Sequence, residues 1–393
     1  TTDGIVRTAM PSFTLAGAND TGYAGAGVAA VQLQVASGLG ATVGFANNGQ
    51  PAAQSGGAAS FVATTLADGP YTARVAVTDV AGNVSYTAPV TVTVDTTPPT
   101  VGEVQRQLNA ETSSTWNAPR YTVTTTDATG VASVVLQVGS SAMGTFTDSG
   151  SPVTQPYSGN IFVVPGPTIN GSQWVRMRVT DVAGNVATTK ATMVTTWDGA
   201  SANPSWVIGG SASFGGGYLT LTPNWGGQKG GAYFTPILPA TGQVSVSFEL
   251  EVSGSADGVC VPFFSSPSAF LTGDAGGALG CVGMTEGKYI VGISEYAGQI
   301  QIGTPSNGFY ASTPAYGFAN TSNLVRFTII LTPTGGSTFV DVQAQIGTTG
   351  PQRVATATLA GTLPAAGTLV GITGATGGQS ASHMVRNIVI SGS

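Results

Sequence analysis

The sequence predicts an all-β protein made of three sandwich units, and three observations carry that prediction. Only 8% of its residues are charged while 57 of the 393 are Gly. Thr, Ser, Ala and Val fill much of the remainder, which favours strands and tight turns over helices. Apolar and polar residues alternate with period two, as at Val31, Leu33 and Val35, which sets one face of a strand on a core. Long segments also recur: "VTDVAGNV" stands at 77–84 and again at 179–186, and "GVAAVQLQV" at 27–35 returns as "GVASVVLQV" at 130–138, offsets of 102 and 103 residues. Matching offsets mean matching modules, and at ~100 to 200 residues per domain the chain length allows two to four of them.

Taken in order, the first module ends at "VTVTVDTTPPTV", where Pro98 and Pro99 cannot donate ladder hydrogen bonds and make a short stiff linker. The second ends near Trp197 and Asp198. The expected units are therefore residues 1–97, 98–198 and 199–393. Modules of about 100 residues with several short strands and frequent Gly or Pro turns fit an immunoglobulin-like β-sandwich. "TARVAVTDVAGNVSYTAPVTVTVDTTPP" resembles the bacterial immunoglobulin-like repeats found in tandem in surface adhesins and large exported proteins. The resemblance covers residues 1–197 and implies a spacer role.

The repeated turn has two readings. Asp79 with Asn83, and Asp181 with Asn185, offer oxygens to calcium, but a hard cation takes about six to eight oxygens and each turn supplies one carboxylate. Turn chemistry accounts for every residue without a ligand: Asp accepts backbone N–H bonds while Gly-Asn takes positive φ and reverses the chain. Asp79 and Asp181 are expected to hold turns.

After Trp206 the texture changes and the repeat does not return. Strands are expected at 218–221, 244–252, 259–264, 289–295, 325–331, 338–346, 367–372 and 384–390, a number that suits a two-sheet jelly roll. The order of motifs resembles the legume-type, concanavalin-like lectin domain of bacterial exported proteins. "YLTLTPNWGGQKGGAYF", "VSVSFELEVSGSADGVCVPFF", "GDAGGALGC", "YIVGISEYAGQIQIG" and "GITGATGGQSASHMVRNIVI" stand where that family has its opening strand, its Ala-Asp-Gly loop, its Gly-rich loop, its metal strand and its closing strands.

That resemblance implies sugar binding by loops at one end of the sandwich. Asp257 would accept bonds from two sugar hydroxyls and Gly277 or Ala278 would add a backbone N–H; Tyr296, Gln299 and Gly377 complete the carbohydrate-binding set. A carboxylate has lone pairs for two hydroxyls, and Gly admits a ligand close to the backbone. The family's metal strand carries Glu and Asp two apart, followed by Asn, but here the positions read Gly292 and Ser294, with Gln299 for the Asn. No cofactor or metal ligand is expected, and calcium would have to bind without its usual partners. Glu295 is one residue out of phase, so on a strand it would face away from Ser294. Cys260 and Cys281, 21 apart with no second Cys or His pair, do not have zinc spacing and are expected to form one disulfide, tying the Asp-bearing strand to the Gly-rich loop.

Other features exclude function classes. Twelve basic against eighteen acidic residues give a net charge of −6, and the lysines are Lys190, Lys229 and Lys288, so no basic face exists for nucleic acid. No run of about 18 apolar residues suggests membrane insertion. The opening TTDGIVRTAM lacks a signal peptide's regions, so the chain is expected to start downstream of another segment. His383 stands alone and reads as structural. Trp225, Tyr296, Tyr310, Tyr316 and Phe318 are candidates for stacking on sugar faces, with packing as the simpler role. Glu249 and Glu251 share one strand face, as a glycosidase pair would. They lack the Asp and later Glu of the Glu-x-Asp-x-x-Glu pattern of concanavalin-like hydrolases, there is no Gly-x-Ser-x-Gly elbow, and no enzyme is expected.

The sequence thus points to a secreted or cell-surface carbohydrate-binding adhesin, a two-module stalk presenting a lectin-like tip to a glycan or polysaccharide. The alternatives are a phage fibre or virion decoration binding host glycans, and a structural filament protein whose tip has lost sugar binding. Neither the sugar nor the oligomeric state is specified.

Overall fold

A computed structural model of the chain describes residues 4–18, 27–53, 58–106, 119–169, 171–239, 242–314, 324–347, 350–364 and 367–393. The fold is all-β; among the described residues the only helical elements are short 3₁₀ turns such as Pro267–Ala269 and Gly276–Ala278. No helix among the described residues is long and apolar enough to cross a membrane.

In the first unit, Val28–Ser37 pairs with Gly69–Asp79, which pairs with Val90–Val94. The alternating residues Val31, Leu33, Val75 and Val92 turn inward against Phe13 and Phe61, which come from the two-stranded sheet Ser12–Leu15 and Ala59–Val62. The second unit repeats the plan: Val131–Gly139 pairs with Gly171–Asp181, and Leu136, Val175 and Met177 pack on Tyr121, Val123 and Phe162.

The remaining chain forms a two-sheet sandwich. One sheet runs Trp206–Gly210, Lys229–Leu238, Thr368–Ala375, Gly258–Phe264, Gly287–Ser294, Gln299–Thr304 and Gly308–Pro314 in spatial order. The other places Ala381–Gly392, Val244–Gly254, Val325–Thr334, Ser337–Ile346 and Gln352–Ala360 side by side. Between them lie Val246, Phe248, Phe327 and Ile329 from one sheet and Val261, Phe263, Ile293 and Ile372 from the other. The eight strands expected here are all present. Strands at Trp206–Gly210, Lys229–Leu238, Gln299–Thr304, Gly308–Pro314 and Gln352–Ala360 were not anticipated. Each is rich in Gly, Gln, Thr or Ala, which weakens the apolar alternation that marks a strand.

One strand belongs to two units. Thr192–Trp197 pairs on one edge with Gly171–Asp181 and on the other with Ala381–Gly392, from Met193 opposite Gly392 to Trp197 opposite Ile388. All six of its residues are buried. A single twelve-stranded sheet therefore runs from the second unit into the C-terminal sandwich.

Candidate functional site

Five loops gather at one end of the C-terminal sandwich, and strand register brings them there. Ala381 lies opposite Trp225 on one edge and Gly254 on the other, while Ala375 lies opposite Lys229 and Gly258. This sets the 226–228, 255–257 and 376–380 loops side by side. Val259 opposite Ile293 brings in the 295–298 loop. The segment around Gly276–Ala278 joins them through a disulfide between Cys260 and Cys281, Cα atoms 6.3 Å apart.

Asp257 sits among these loops. The following Gly258 has φ +144°, and a Cβ there would lie 2.1 Å from the Ile293 carbonyl, so only glycine lets the chain turn from Asp257 into the buried strand. The Asp257 carbonyl accepts a bond from Ser294 Oγ at 3.1 Å. Its carboxylate is walled by glycine: a Cβ on Gly377 would stand 2.9 Å from Oδ2, and one on Gly276 3.9 Å away. Oδ2 is shielded from solvent and receives no hydrogen bond from protein. Such an orphan acceptor costs about 1 to 3 kcal/mol until a donor reaches it.

The surrounding frame is internally bonded. Thr373 Oγ1 donates to the Leu279 carbonyl at 2.8 Å, fixing the Gly-rich segment to the central strand Thr368–Ala375. Lys229 Nζ donates to the carbonyls of Leu271 and Gly273 at 2.8 and 2.6 Å, so its charge is spent on that loop. Gly277 is the middle residue of the 3₁₀ turn, where its N–H has no partner within the turn. Ala278 ends the turn, Gln299 opens a strand opposite Ser294, and Tyr296 projects from the intervening loop with 71% of its surface exposed. Tyr310 is also exposed, whereas Tyr316 and Phe318 lie outside the described residues.

Glu295 does face away from Ser294: Ser294 Oγ bonds the Asp257 carbonyl, while Glu295 continues the Ile293 face and reaches between the sheets to His383. One expectation is corrected. The lone His383 does have partners: its Nε2 lies 3.0 Å from Glu295 Oε2 and its Nδ1 2.6 Å from Thr222 Oγ1, all of them buried. The pair pins the 295–298 loop to the closing strand Ala381–Gly392 and keeps His383 structural.

Glu249 and Glu251 share a face, but both are engaged. Arg326 and Asn387 donate to Glu249 at 2.9 Å each and Arg386 at 3.0 Å, leaving a buried carboxylate neutralised by two guanidiniums. Glu251 accepts the Tyr218 hydroxyl at 2.6 Å; burial, and then that bond, push the Tyr218 hydroxyl up from its ordinary value. A general acid or nucleophile needs open lone pairs at a cleft, which this arrangement does not offer.

The repeated turns are Asx-type turns. Asp79 accepts from the Asn83 backbone and side chain at 2.8 and 2.7 Å, bonds that hold its carboxyl below the ordinary range. Asp181 does the same with Asn185, both contacts at 2.8 Å. Gly82 and Gly184 alone carry the positive φ, +92° and +96°, and Asn does not share it. The second copy does more, because Asn185 Nδ2 also donates to the Asp95 carbonyl at 2.8 Å across the linker. There Asp181, Asp95 and Asp127 bring carboxylate oxygens within 4.8 Å of one another, the one such group of acidic, His or Cys residues among the described residues. These are the side chains with the oxygens a hard cation takes. Counting one carboxylate per turn missed them, since the partners come from residues far apart in sequence.

Residues 1–96 match the family model of a bacterial Ig-like domain. No curated protein matches the chain. Among solved structures the chain is similar to the lectin I-B4 of Griffonia simplicifolia in its metal-free form, with 15% identity over 51% of this chain and 99% of that one, TM-score 0.44. It is similar to a lectin from Bauhinia forficata in complex with GalNAc, 16% identical over 51% and 99% of the two chains, TM-score 0.42. A third likeness is to arcelin-5, a lectin-like defence protein of Phaseolus vulgaris, at 13% identity over 51% and 97%, TM-score 0.41.

Proposed function

We propose that the protein is a carbohydrate-binding adhesin of the cell surface or secreted matrix, in which two immunoglobulin-like modules carry a sugar-binding sandwich. The observation that carries this reading is the Asp257 carboxylate, set between glycines at a loop-lined end with Oδ2 lacking a hydrogen-bond donor. One sugar hydroxyl would donate to Oδ1 and its neighbour to Oδ2 once a small shift of the Gly276 and Gly377 loops uncovers that oxygen, and the Gly277 N–H or that of Ala278 would donate to a sugar oxygen. Tyr296 would stack on the ring's C–H face, Gln299 would add an amide beside it, and Gly377 leaves room for the ring. The disulfide and the Ser294 bond take the supporting role that metal ligands at 292 and 294 would otherwise fill. The reading is of binding and not catalysis, because Glu249 and Glu251, the acidic pair that could have served a glycosidase, are engaged by Arg326, Arg386, Asn387 and Tyr218.

A glycan array probed with the intact chain tests this. Binding is expected to survive EDTA, to weaken on reduction of the disulfide, and to fall by at least about tenfold in Asp257→Ala, which removes a charged acceptor worth about 1.5 to 3 kcal/mol per bond. An array without hits, or an unchanged profile for the variant, would overturn the reading.

A further inference from the structure

Trp225 is the feature at this end that the proposed site does not use. Its side chain is 70% exposed, whereas Trp197 and Trp206 are 2% and 6% exposed. An indole left in water on a well-ordered turn forgoes the burial that usually decides where tryptophan goes. The turn is nevertheless firmly held. Thr376 Oγ1 donates to the Trp225 carbonyl at 2.7 Å, Gly227 N–H to the Gly377 carbonyl at 2.8 Å, and Gln228 N–H to Thr376 Oγ1 at 2.8 Å. Gly226 packs so closely that a Cβ there would meet the Gly377 carbonyl at 3.1 Å. The loop that receives these contacts is the one whose Gly377 walls Asp257.

Register fixes the separation. Trp225 and Gly254 flank Ala381 on opposite edges, so they stand two strand spacings apart, about 10 Å. Asp257 follows three residues after Gly254. In the sheet order Lys229–Leu238, Thr368–Ala375, Gly258–Phe264, Gly287–Ser294, the Trp225 turn lies to one side of Asp257 and the 295–298 loop with its Tyr296 to the other.

We infer that Trp225 forms a second subsite, an aromatic platform for the next ring of an oligosaccharide whose terminal ring sits at Asp257. This inference rests on the proposed sugar site and narrows its ligand class from a monosaccharide to a glycan chain. An indole face packs against the apolar C–H face of a pyranose, needs no hydrogen-bond partner, and accepts several linkages. Asp257 sets which terminal sugar binds, and Trp225 makes affinity depend on chain length.

The test is calorimetric titration of the intact chain with the methyl glycosides of mannose, galactose, GlcNAc, GalNAc and fucose, then with di- and trisaccharides ending in whichever sugar binds. The wild type is expected to bind the longer glycans about five- to tenfold more tightly than the methyl glycoside, with a change in tryptophan emission on binding. Trp225→Ala is expected to lower the longer glycans to the methyl glycoside's affinity while leaving the latter within about twofold, and Trp225→Phe to restore part of the gain. Equal affinity for all lengths in the wild type overturns the subsite while leaving the Asp257 site standing. So does a Trp225→Ala variant that affects short and long glycans alike, or neither. Absence of any sugar binding removes both proposals together.

Discussion

The two junctions in this chain are built by opposite means. Between the first and second units the contacts are polar: Asn185 Nδ2 donates to the Asp95 carbonyl, Arg7 donates to the Gly184 carbonyl at 3.0 Å, and Thr129 Oγ1 donates to Asp95 Oδ2. Between the second unit and the C-terminal sandwich the junction is a shared sheet and a shared core. Thr192–Trp197 lends Val194 to the second unit's core and Met193 and Trp197 to the sandwich, while Val389 of the closing strand is packed into the second unit. Trp197 stacks on Trp206 at 4.7 Å and meets Phe214 edge-on at 5.8 Å. Apolar burial and ladder bonds do not trade readily with water, whereas surface hydrogen bonds do. The chain is therefore expected to flex at its first junction and to stay rigid at its second.

The largest break in that contrast comes from dividing the chain. Residues 199–393 alone lose the strand that covers Ile388–Gly392 and its Trp197, and are expected to aggregate or to melt more than 10 °C below residues 98–393, which should unfold in one calorimetric transition. Two independent transitions in 98–393 would contradict the shared core. Trp197→Ala is expected to cost about 3 to 5 kcal/mol and to lower that transition while leaving the first unit's melting in place. Glu249→Ala, which takes the carboxylate away from the buried Arg326, should cost about 3 kcal/mol and again act only on the joined units, measured by denaturant titration.

At the first junction the effects are smaller. Asn185→Ala is expected to cost about 1 to 2 kcal/mol and to widen the spread of interdomain distances seen by small-angle scattering, whereas Asn83→Ala in the equivalent first turn should cost stability without changing the shape. The smallest change is Asp127→Asn, which removes one of three close carboxylates and is expected to leave stability in EDTA within about 1 kcal/mol of wild type or slightly above it.

What could be read from the sequence followed from local pattern. Period-two alternation located the strands around Val31 and Phe248, apolar runs those around Phe263 and Ile293, and the repeated turn fixed the module length. Pattern does not encode partners, so nothing in residues 192–197 announced that they pair with residues 388–392, nearly the whole sandwich away in sequence. The same limit hid the Glu295 to His383 contact and the approach of Asp95, Asp127 and Asp181, each assembled from distant strands. For the candidate site, the resemblance grouped Asp257 with Gly277, Ala278 and Gly377, but only register shows that the Trp225 turn stands beside it.

The most direct test of the central claim is a crystal structure of the intact chain soaked with the monosaccharide selected on the array. The account predicts a ring between Gly276 and Gly377 with two hydroxyls donating to the Asp257 carboxylate and the Gly277 or Ala278 N–H on a neighbouring oxygen. A sugar bound elsewhere, with Asp257 untouched, would contradict it.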